Sequence, residues 1–230
     1  MRRISAGLTH AGISWRDIGG VLITHEHSDH IYGLKTILRQ HPIPIYAPRT
    51  VASRLYGMLP GIENWLQRIP VGERFPVGEL CVLAFHTPHD TDESVGYRVE
   101  GDGVFSIATD MGQLTEEVLS GLSGSDAVLI EANHDPEMLR FGAYPPYLKL
   151  RILSEHGHLS NPDCAQLARF LCEKGTRRIV LGHLSRENNR PDLALKTVKA
   201  ALTGFSPELC CAPADGFLSF SVGEVELCYR

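Results

Sequence analysis

Three imidazoles and the carboxylate of Asp29 lie within six residues near the start of this chain, at His25, His27, Asp29 and His30. The apolar run 20–24 before them predicts a short buried strand, and the run 31–38 predicts a helix, so the four side chains lie on the loop between. Residues 25 and 27 leave an extended backbone on the same side and can bind one ion, while residues 29 and 30 can face a second ion. The loop therefore predicts two adjacent metal ions, about 3.5–4 Å apart, an arrangement suited to hydrolysis by a bridging hydroxide.

The spacing of these residues, His-x-His-x-Asp-His, resembles the metal-binding motif of the metallo-β-lactamase superfamily of metallohydrolases. The resemblance implies three further ligands, each at the C-terminal end of a later strand: His89, Asp110 and His183. His89 would complete the first metal site and His183 the second, and Asp110 would bridge both ions because a carboxylate has two oxygens. His86, three residues before His89, is an alternative ligand of the first site.

The composition is typical of a globular protein and indicates one domain, residues 1–230, with 43% hydrophobic and 21% charged residues. No apolar run approaches the ~20 residues of a membrane span, and the first residues do not resemble a signal peptide, so we expect a cytoplasmic protein without a membrane partner. The six cysteines include no Cys-x-x-Cys pair. The predicted ligands are therefore imidazole and carboxylate, which suit zinc and also manganese or iron. The net charge of −5 disfavours a surface that coats nucleic acid, but is compatible with a local basic groove.

Apolar strands alternate with predicted helices along the chain, without repeats or low-complexity segments. The segment 68–109 predicts antiparallel strands, the segment 208–229 predicts short strands, and a helix is predicted to start at Asn161 with this side chain as its cap. Together with the resemblance, this order implies an α/β fold, the four-layer αββα metallo-β-lactamase sandwich. Only 24 residues precede His25 and residues 1–12 predict a helix, so we expect the N-terminal strands usual in the superfamily to be lacking.

Two further side chains, Glu131 and His158, indicate acid catalysis. Glu131 ends the apolar run 127–131, which predicts a buried strand, and His158 comes shortly before a predicted helix. In the tRNase Z group of the superfamily, a Glu in such a position orients a His that protonates the leaving oxygen, and this pair looks similar in order and context. The alternatives are a surface carboxylate and a histidine that hydrogen-bonds at the start of the helix. A general acid favours phosphodiester hydrolysis, because an alkoxide leaves far more readily when it is protonated.

Three longer segments of the chain resemble the YycJ/WalJ group of bacterial proteins: residues 131–135, 144–161 and 183–191. The similarity extends over nearly the whole chain from Ile18 onward. Members of this group are regarded as metal-dependent 5′-to-3′ exonucleases. The resemblance therefore implies an enzyme that acts on nucleic acid, with DNA favoured over RNA.

Other residues are assigned roles in this predicted two-metal phosphodiesterase. Asp29 would also orient or deprotonate the attacking water. Lys149 and Arg151 would neutralise phosphate charge at a substrate-binding surface, or would simply form a solvated helix face. His134 is a further candidate for the substrate-binding region, where it would contact the substrate or fix the orientation of a ligand.

Two other functions stay open at this point. The first is a small-molecule metallohydrolase on the same fold, acting on a thioester, a lactone or a cyclic nucleotide; the acidic net charge favours it, whereas the Glu131 and His158 pair disfavours it. The second is a non-catalytic interaction protein that retains the fold, which the presence of all seven candidate ligands disfavours. The sequence predicts no particular oligomeric state.

Overall fold

The computed structural model describes residues 2–223 and begins with the helix α1 (Arg2–His10), as the sequence predicts. A small sheet follows, with three parallel strands in the order β1 (Val21–Leu22), β2 (Ile45–Pro48) and β3 (Leu66–Ile69). Three helices cover its outer side: α2 (Ser28–Ile31), α3 (Leu34–Gln40) and α4 (Arg49–Met58). Ile45 and Ala47 of the central strand are fully buried among the apolar side chains of these helices.

The larger sheet has seven strands within the described residues. In chain order they are β4 (Arg74–Val77), β5 (Leu80–His86), β6 (Val95–Glu100), β7 (Val104–Ala108), β8 (Ala127–Glu131), β9 (Arg178–Gly182) and β10 (Glu208–Cys211). Neighbouring strands from β4 to β7 pair antiparallel, and those from β7 to β10 pair parallel. The strands β5, β7, β8 and β9 therefore all run in the same direction, and their C-terminal ends meet at one edge of the sheet.

The remaining helices lie along or beside this larger sheet: α5 (Glu116–Leu122), α6 (Pro136–Phe141), α7 (Pro146–Ile152), α8 (Asn161–Glu173) and α9 (Pro191–Ala201). The helices α5, α8 and α9 cover its outer face and form the largest apolar core with side chains such as Ile130 and Leu181. A separate core fills the space between the two sheets, where Tyr97 and Val82 pack against Leu22 and Tyr46. The order helix, sheet, sheet, helix confirms the predicted αββα sandwich.

The segment 68–109 is antiparallel from β4 to β7, as predicted, but its first two residues, 68 and 69, belong to β3 of the small sheet. The strand β3 pairs parallel with β2 in the small sheet, so this part of the prediction was wrong. A strand of four residues can be recognised from its composition, whereas its partner depends on packing between distant segments. Of the short strands predicted in 208–229, the structure contains β10, and residues 224–229 lie outside the described residues.

The cap of α8 is Ser160 and not Asn161, which corrects a second prediction. The side chain of Ser160 accepts a hydrogen bond from the backbone N–H of Asp163 at 3.2 Å. Asn161 is the first helical residue and is fully buried. Its side-chain amide does not cap the helix, because it exchanges two hydrogen bonds with the amide of Asn189, at 2.9 and 2.8 Å. The helix thus starts where predicted, but the capping oxygen comes from the preceding residue.

The strand predicted at 20–24 is reduced to the two residues of β1, and the helix predicted at 31–38 is divided into α2 and α3. The loop that carries the histidine motif is therefore bounded by short elements. No helix among residues 2–223 combines the length and the apolar composition needed to cross a membrane.

Candidate active site

The histidine loop is fixed at its start by both sheets. The backbone N–H of Ile23 donates to Tyr46 of β2 at 2.9 Å, and the carbonyl of Thr24 accepts from Val95 of β6 at 3.1 Å. The buried Tyr97 hydroxyl donates to the carbonyl of Ile23 at 2.6 Å. These bonds hold the chain between the small and the large sheet, so that the next residues project over the C-terminal edge of the large sheet.

A first cluster consists of His25, His27 and His89, whose ligand atoms all lie within 4.8 Å of one another. The Nε2 atom of His89 lies 3.3 Å from Nδ1 of His27. Burial, reinforced by the charge of His30, lowers the pKa of His25 to about 3, and burial also lowers the pKa of His89. These two imidazoles are therefore neutral near pH 7, which is the form that binds a metal ion.

His86, the alternative to His89, does not join this cluster. Its ring is 53% exposed and pairs with Glu117 on α5, with 2.9 Å between His86 Nδ1 and Glu117 Oε1. It is the last residue of β5, and its side chain points away from the interior where His89 lies buried.

A second cluster consists of Asp29, His30 and His183, again with ligand atoms within 4.8 Å of one another. Asp110 lies between the two clusters: its Oδ2 is 3.3 Å from His30 Nε2, and its Oδ1 is 3.7 Å from His89 Nε2. Burial opposes ionisation of Asp110, but the hydrogen bond from His30 and the charge of His183 hold the pKa of its carboxyl well below the usual range. The structure thus brings all seven predicted ligands together, with the carboxylate of Asp110 between the two clusters.

The backbone at two of these residues is strained. Asp110 follows β7 and His183 follows β9, and both have a positive φ, 57° and 54°. Residues other than glycine seldom adopt this left-handed conformation, and when they do they often serve a site. The conformation turns each chain sharply at its strand end, where both side chains lie close to Glu131, the last residue of β8.

Buried nitrogen atoms without a hydrogen-bond partner fit the predicted metal ions. Within the described chain, Nε2 of His25 and Nδ1 of His89 are buried and lack a hydrogen-bond partner, and the buried Oδ2 of Asp110 lies 3.3 Å from Nε2 of His30. An unpaired buried polar atom is costly, so such atoms in one cluster indicate an additional group that binds them. Imidazole and carboxylate donors suit Zn²⁺ or Mn²⁺, and the seven side chains would hold two such ions.

Glu131 is fully buried and accepts four hydrogen bonds. Its Oε1 accepts from Nδ1 of His183 at 2.6 Å and from Nδ1 of His158 at 2.9 Å. Its Oε2 accepts from the backbone N–H groups of Met111 at 3.0 Å and Leu159 at 3.2 Å. A carboxylate only accepts, so both imidazoles carry their proton on Nδ1 and leave Nε2 directed elsewhere.

The carboxylate of Glu131 raises the pKa of His183 and is hydrogen-bonded to His158. Burial alone would raise the pKa of Glu131, but the hydrogen bonds from His158 and His183 lower it, so the group is a carboxylate. Burial would lower the pKa of His183, but its bond to Glu131 and the charges of Asp110 and Asp29 raise it to about 9. One buried carboxylate therefore orients a candidate metal ligand and a candidate acid at the same time.

A cavity of about 500 Å³ opens beside these residues. Its lining includes the imidazoles of His158 and His183 together with Asp90, Tyr144, Arg151 and Arg186. Asp90 was not predicted as a site residue, although it directly follows His89; its Oδ1 lies 3.2 Å from His89 Nε2, and its other oxygen pairs with Arg151. The cavity offers both imidazole and guanidinium groups to a bound molecule.

Of the three predicted substrate-binding residues, Arg151 is the one that lines the cavity. The Nζ of Lys149 donates to the backbone carbonyls of Arg140 at 2.8 Å and Gly142 at 2.7 Å, and so binds the C-terminal end of α6. His134 is only 1% exposed, and both of its ring nitrogens lack a hydrogen-bond partner. The structure therefore places Lys149 in a packing contact and His134 in the interior, and neither of them reaches the cavity.

Two further contacts, made by Glu26 and Asn133, support the ligand clusters. Glu26, between two of the predicted ligands, is 8% exposed and accepts a hydrogen bond from Thr91 at 2.7 Å, with Arg54 of α4 at 3.2 Å. Asn133 donates to the carbonyl of His183 at 3.0 Å. The motif did not indicate the partners of Glu26, because Thr91 and Arg54 come from distant segments of the chain.

Comparison with known proteins agrees with this geometry. A family model described as "Beta-lactamase superfamily domain" matches residues 5–184. The exodeoxyribonuclease YycJ of Bacillus anthracis is 35% identical over 196 residues, which cover 84% of this chain and 74% of that protein. The exodeoxyribonuclease WalJ of Streptococcus pneumoniae serotype 2 is 34% identical over 203 residues, which cover 86% of this chain and 75% of that protein.

Solved structures show the same fold at low sequence identity. YhfI of Bacillus subtilis, a metallo-β-lactamase fold protein, has a TM-score of 0.67 and 16% identity, over 89% of this chain and 78% of that chain. The short form of human tRNase Z has a TM-score of 0.61 and 19% identity, over 94% of this chain and 84% of that chain. The fold, the ligand clusters and the two exodeoxyribonuclease relatives together show that this chain belongs to the metallo-β-lactamase superfamily of hydrolases, in the group of YycJ and WalJ.

Proposed function

We propose that the protein is a two-metal phosphodiesterase that degrades DNA as a 5′-to-3′ exonuclease. The observation that carries this proposal is the sharing of Glu131 by His158 and His183, because it places a hydrogen-bonded imidazole beside the candidate metal ligands. The names of YycJ and WalJ, both exodeoxyribonucleases, support DNA as the substrate. The direction of digestion follows from the same resemblance and is part of the proposal.

Two divalent ions held by the seven ligands would withdraw charge from the phosphoryl group and lower the pKa of a water molecule. The protein's own groups perform the remaining tasks. Asp110 holds the two ligand clusters together, and Asp29, whose side chain is 66% exposed, is placed to orient or deprotonate the attacking water. Arg151, which lines the cavity, neutralises phosphate charge on the bound strand.

His158 acts as the general acid in this mechanism. Its Nδ1 proton is bound to Glu131, so Nε2 is the atom that delivers a proton to the leaving oxygen, and the side chain lines the cavity. General acids of this kind contribute about 10²–10⁴-fold to a rate. The benefit is large for an alkoxide leaving group such as the sugar oxygen of DNA, and small for a leaving group that is stable as an anion.

The experiment uses metal-loaded protein with DNA labelled at either end. With Zn²⁺ or Mn²⁺, we expect mononucleotides to be released first from the 5′ end, and RNA of the same sequence to be cleaved more slowly. His158→Ala should lower the rate on DNA by about 10²–10⁴-fold, but should change the hydrolysis of bis(p-nitrophenyl) phosphate much less, because nitrophenolate leaves without a proton. His86→Ala is the matched control, since His86 lies outside the site.

Three outcomes would contradict the proposal in different ways. Hydrolysis of a thioester or a lactone by the wild-type protein without any cleavage of nucleic acid would favour a small-molecule hydrolase. Release from the 3′ end would contradict the direction of digestion. An equal loss of activity on DNA and on the nitrophenyl ester in His158→Ala would contradict the acid role of His158 and indicate a structural role.

A further inference from the structure

A carboxylate outside the seven predicted ligands, that of Asp90, lies next to the first cluster. Asp90 directly follows the candidate ligand His89, and its Oδ1 lies 3.2 Å from Nε2 of His89 and 3.9 Å from Nε2 of His27. Its side chain is 25% exposed, and the residue lines the cavity. Asp90 therefore belongs both to the surroundings of the first cluster and to the cavity.

The distances around Asp90 are those of ligand atoms that share one metal ion. Bonds of about 2.0–2.2 Å place two ligand atoms of a tetrahedral ion roughly 3.3–3.6 Å apart. In the first cluster, Nε2 of His89 lies 3.3 Å from Nδ1 of His27 and 3.7 Å from Oδ1 of Asp110. The distance between His89 and Asp90 is close to the same range, so Oδ1 of Asp90 can bind the ion that these residues bind.

The nitrogen of His89 that contacts Asp90 is the one that faces the cluster. Nε2 is also the atom that lies near the ring of His27 and the carboxylate of Asp110. A carboxylate that only orients a metal-binding histidine contacts the other ring nitrogen, the one remote from the ion. The position of Asp90 is therefore that of a ligand, and not that of an orienting partner of His89.

The charges of the two clusters give a reason for an additional carboxylate. The second cluster contains Asp29 as its own carboxylate, whereas the first consists of three imidazoles and has only the shared Asp110 beside it. Neutral imidazoles leave the charge of a divalent ion uncompensated, and a carboxylate offsets part of it. With Asp90 included, each of the two predicted ions would have one carboxylate of its own.

The second oxygen of Asp90 binds a cation of the cavity. Oδ2 accepts a hydrogen bond from Nε of Arg151, whose side chain is 58% exposed on α7. Within residues 2–223, the two Nη groups of Arg151 donate no hydrogen bond to another residue. A guanidinium has five donors in a planar fork, so Arg151 can keep Asp90 on Nε and bind a phosphate through its Nη groups.

From these observations we infer that Asp90 is an eighth metal ligand, whose Oδ1 binds the first ion while its Oδ2 holds Arg151 beside that ion for the phosphate of the substrate. This inference rests on the proposed two-metal phosphodiesterase and names a residue that couples metal binding to phosphate binding. Loss of the Asp90 carboxylate should weaken both. Loss of the Arg151 guanidinium should weaken phosphate binding alone.

The first test uses the absorption spectrum of protein loaded with Co²⁺ in place of Zn²⁺. A thiolate that binds Co²⁺ gives a charge-transfer band in the near ultraviolet, which imidazole and carboxylate ligands do not give. We expect this band in Asp90→Cys, because a thiolate at this position would enter the coordination sphere. Asp102→Cys, in the exposed turn between β6 and β7, is the matched control and should lack the band, as should the wild type.

The second test measures metal affinity by competition with a chelator. Asp90→Asn should bind one of its two ions at least about tenfold more weakly than the wild type, and Asp102→Asn should bind both ions as the wild type does. Arg151→Gln should keep both ions with unchanged affinity, but should raise the KM for bis(p-nitrophenyl) phosphate. Urea unfolding of the metal-free variants checks that each of them folds.

The outcomes separate the possible failures. If Asp90→Cys binds Co²⁺ without the band, or if Asp90→Asn keeps both ions with wild-type affinity, Asp90 is not a ligand and the inference is wrong. If Arg151→Gln loses the same ion as Asp90→Asn, the carboxylate acts through Arg151, which also contradicts the inference. If the band appears but the wild-type protein hydrolyses no phosphodiester, Asp90 is a ligand and the proposed function fails instead.

Discussion

His25 and His183 lie in the two different clusters of the candidate site, and their protonation is opposite. Burial among other imidazoles lowers the pKa of His25 to about 3. Burial would do the same to His183, but its hydrogen bond to Glu131 and the charges of Asp110 and Asp29 outweigh burial and raise the pKa to about 9. The two buried imidazoles of the first cluster, His25 and His89, are thus neutral, whereas His183 in the second lies among carboxylates.

The supporting structure differs in the same way. The histidine loop, which supplies ligands to both clusters, follows a strand of two residues, and its His25 has a buried nitrogen without a hydrogen-bond partner. The sheet edge that supplies His183 is instead supported by Glu131, whose four hydrogen bonds are already made in the protein alone. We therefore expect the histidine loop to gain order when ions bind, while the half around Glu131 is preorganised by hydrogen bonds.

The largest expected effect comes from Glu131→Gln. The amide would direct its NH2 group at two of the four donors and would remove the negative charge, so we expect a loss of roughly 3–5 kcal/mol in the free energy of unfolding and about 10²–10⁴-fold in DNA hydrolysis. Urea unfolding and steady-state kinetics measure the two effects. Glu63→Gln, at an exposed position, should stay within about 0.5 kcal/mol of wild type. A stable and active Glu131→Gln protein would show that the second half is not organised by this carboxylate.

The next effect concerns the ligands of the first cluster. His89→Ala should reduce the bound metal from two ions to one and abolish most of the DNA hydrolysis, because a ligand of the buried cluster is removed. His86→Ala should keep both ions, since its ring pairs with Glu117. Metal analysis of the dialysed proteins measures the stoichiometry. If the two variants exchanged these results, the assignment of His89 to the cluster would be wrong.

Metal removal should affect the histidine loop and the sheet edge around Glu131 differently. Metal at a concentration 100 times its Kd stabilises the folded protein by about 2.7 kcal/mol, and a chelator should reverse this. In hydrogen exchange, the amides of residues 24–31 should gain protection when metal binds, and those of 127–131 should change little because their bonds already exist. Equal gains in both segments would remove the contrast between a metal-ordered loop and a preorganised sheet edge.

The smallest effect is expected at the start of α8. Ser160→Ala removes the capping oxygen and should cost about 1 kcal/mol of stability. The bound metal should stay at two ions, because Glu131 and its hydrogen bonds are unchanged. Ser206→Ala, an exposed position, is the control in the same unfolding assay. A loss of metal in Ser160→Ala would show that the region around Glu131 is less independent of α8 than the hydrogen bonds indicate.

The sequence predicted the parts of the site that depend on local geometry. The ligands of the histidine loop are close in the chain, and their side-chain directions follow from the backbone alone. Asp110, Glu131 and His183 were found because each follows or ends a recognisable apolar strand, and strands that run in the same direction end at the same edge. The family resemblance supplied their order and roles.

Other features depended on long-range packing and were not predicted. Lys149 and His134 have residue types suited to substrate binding, but the fold directs one to the end of α6 and buries the other. Asn161 has a residue type suited to capping, but its burial pairs it with Asn189. The pattern along the chain does not specify which of two neighbouring polar residues faces the interior, because distant segments decide it.

By itself, the sequence determined the fold family, and with the family resemblance it predicted the two metal clusters and the candidate acid from residue types, short spacings and strand ends. Only the tertiary structure decided that one buried carboxylate, Glu131, binds both His158 and His183, and that Asp90 holds Arg151 at the cavity. The physical reason is that a hydrogen bond requires two segments to meet, and their meeting depends on the packing of the whole chain.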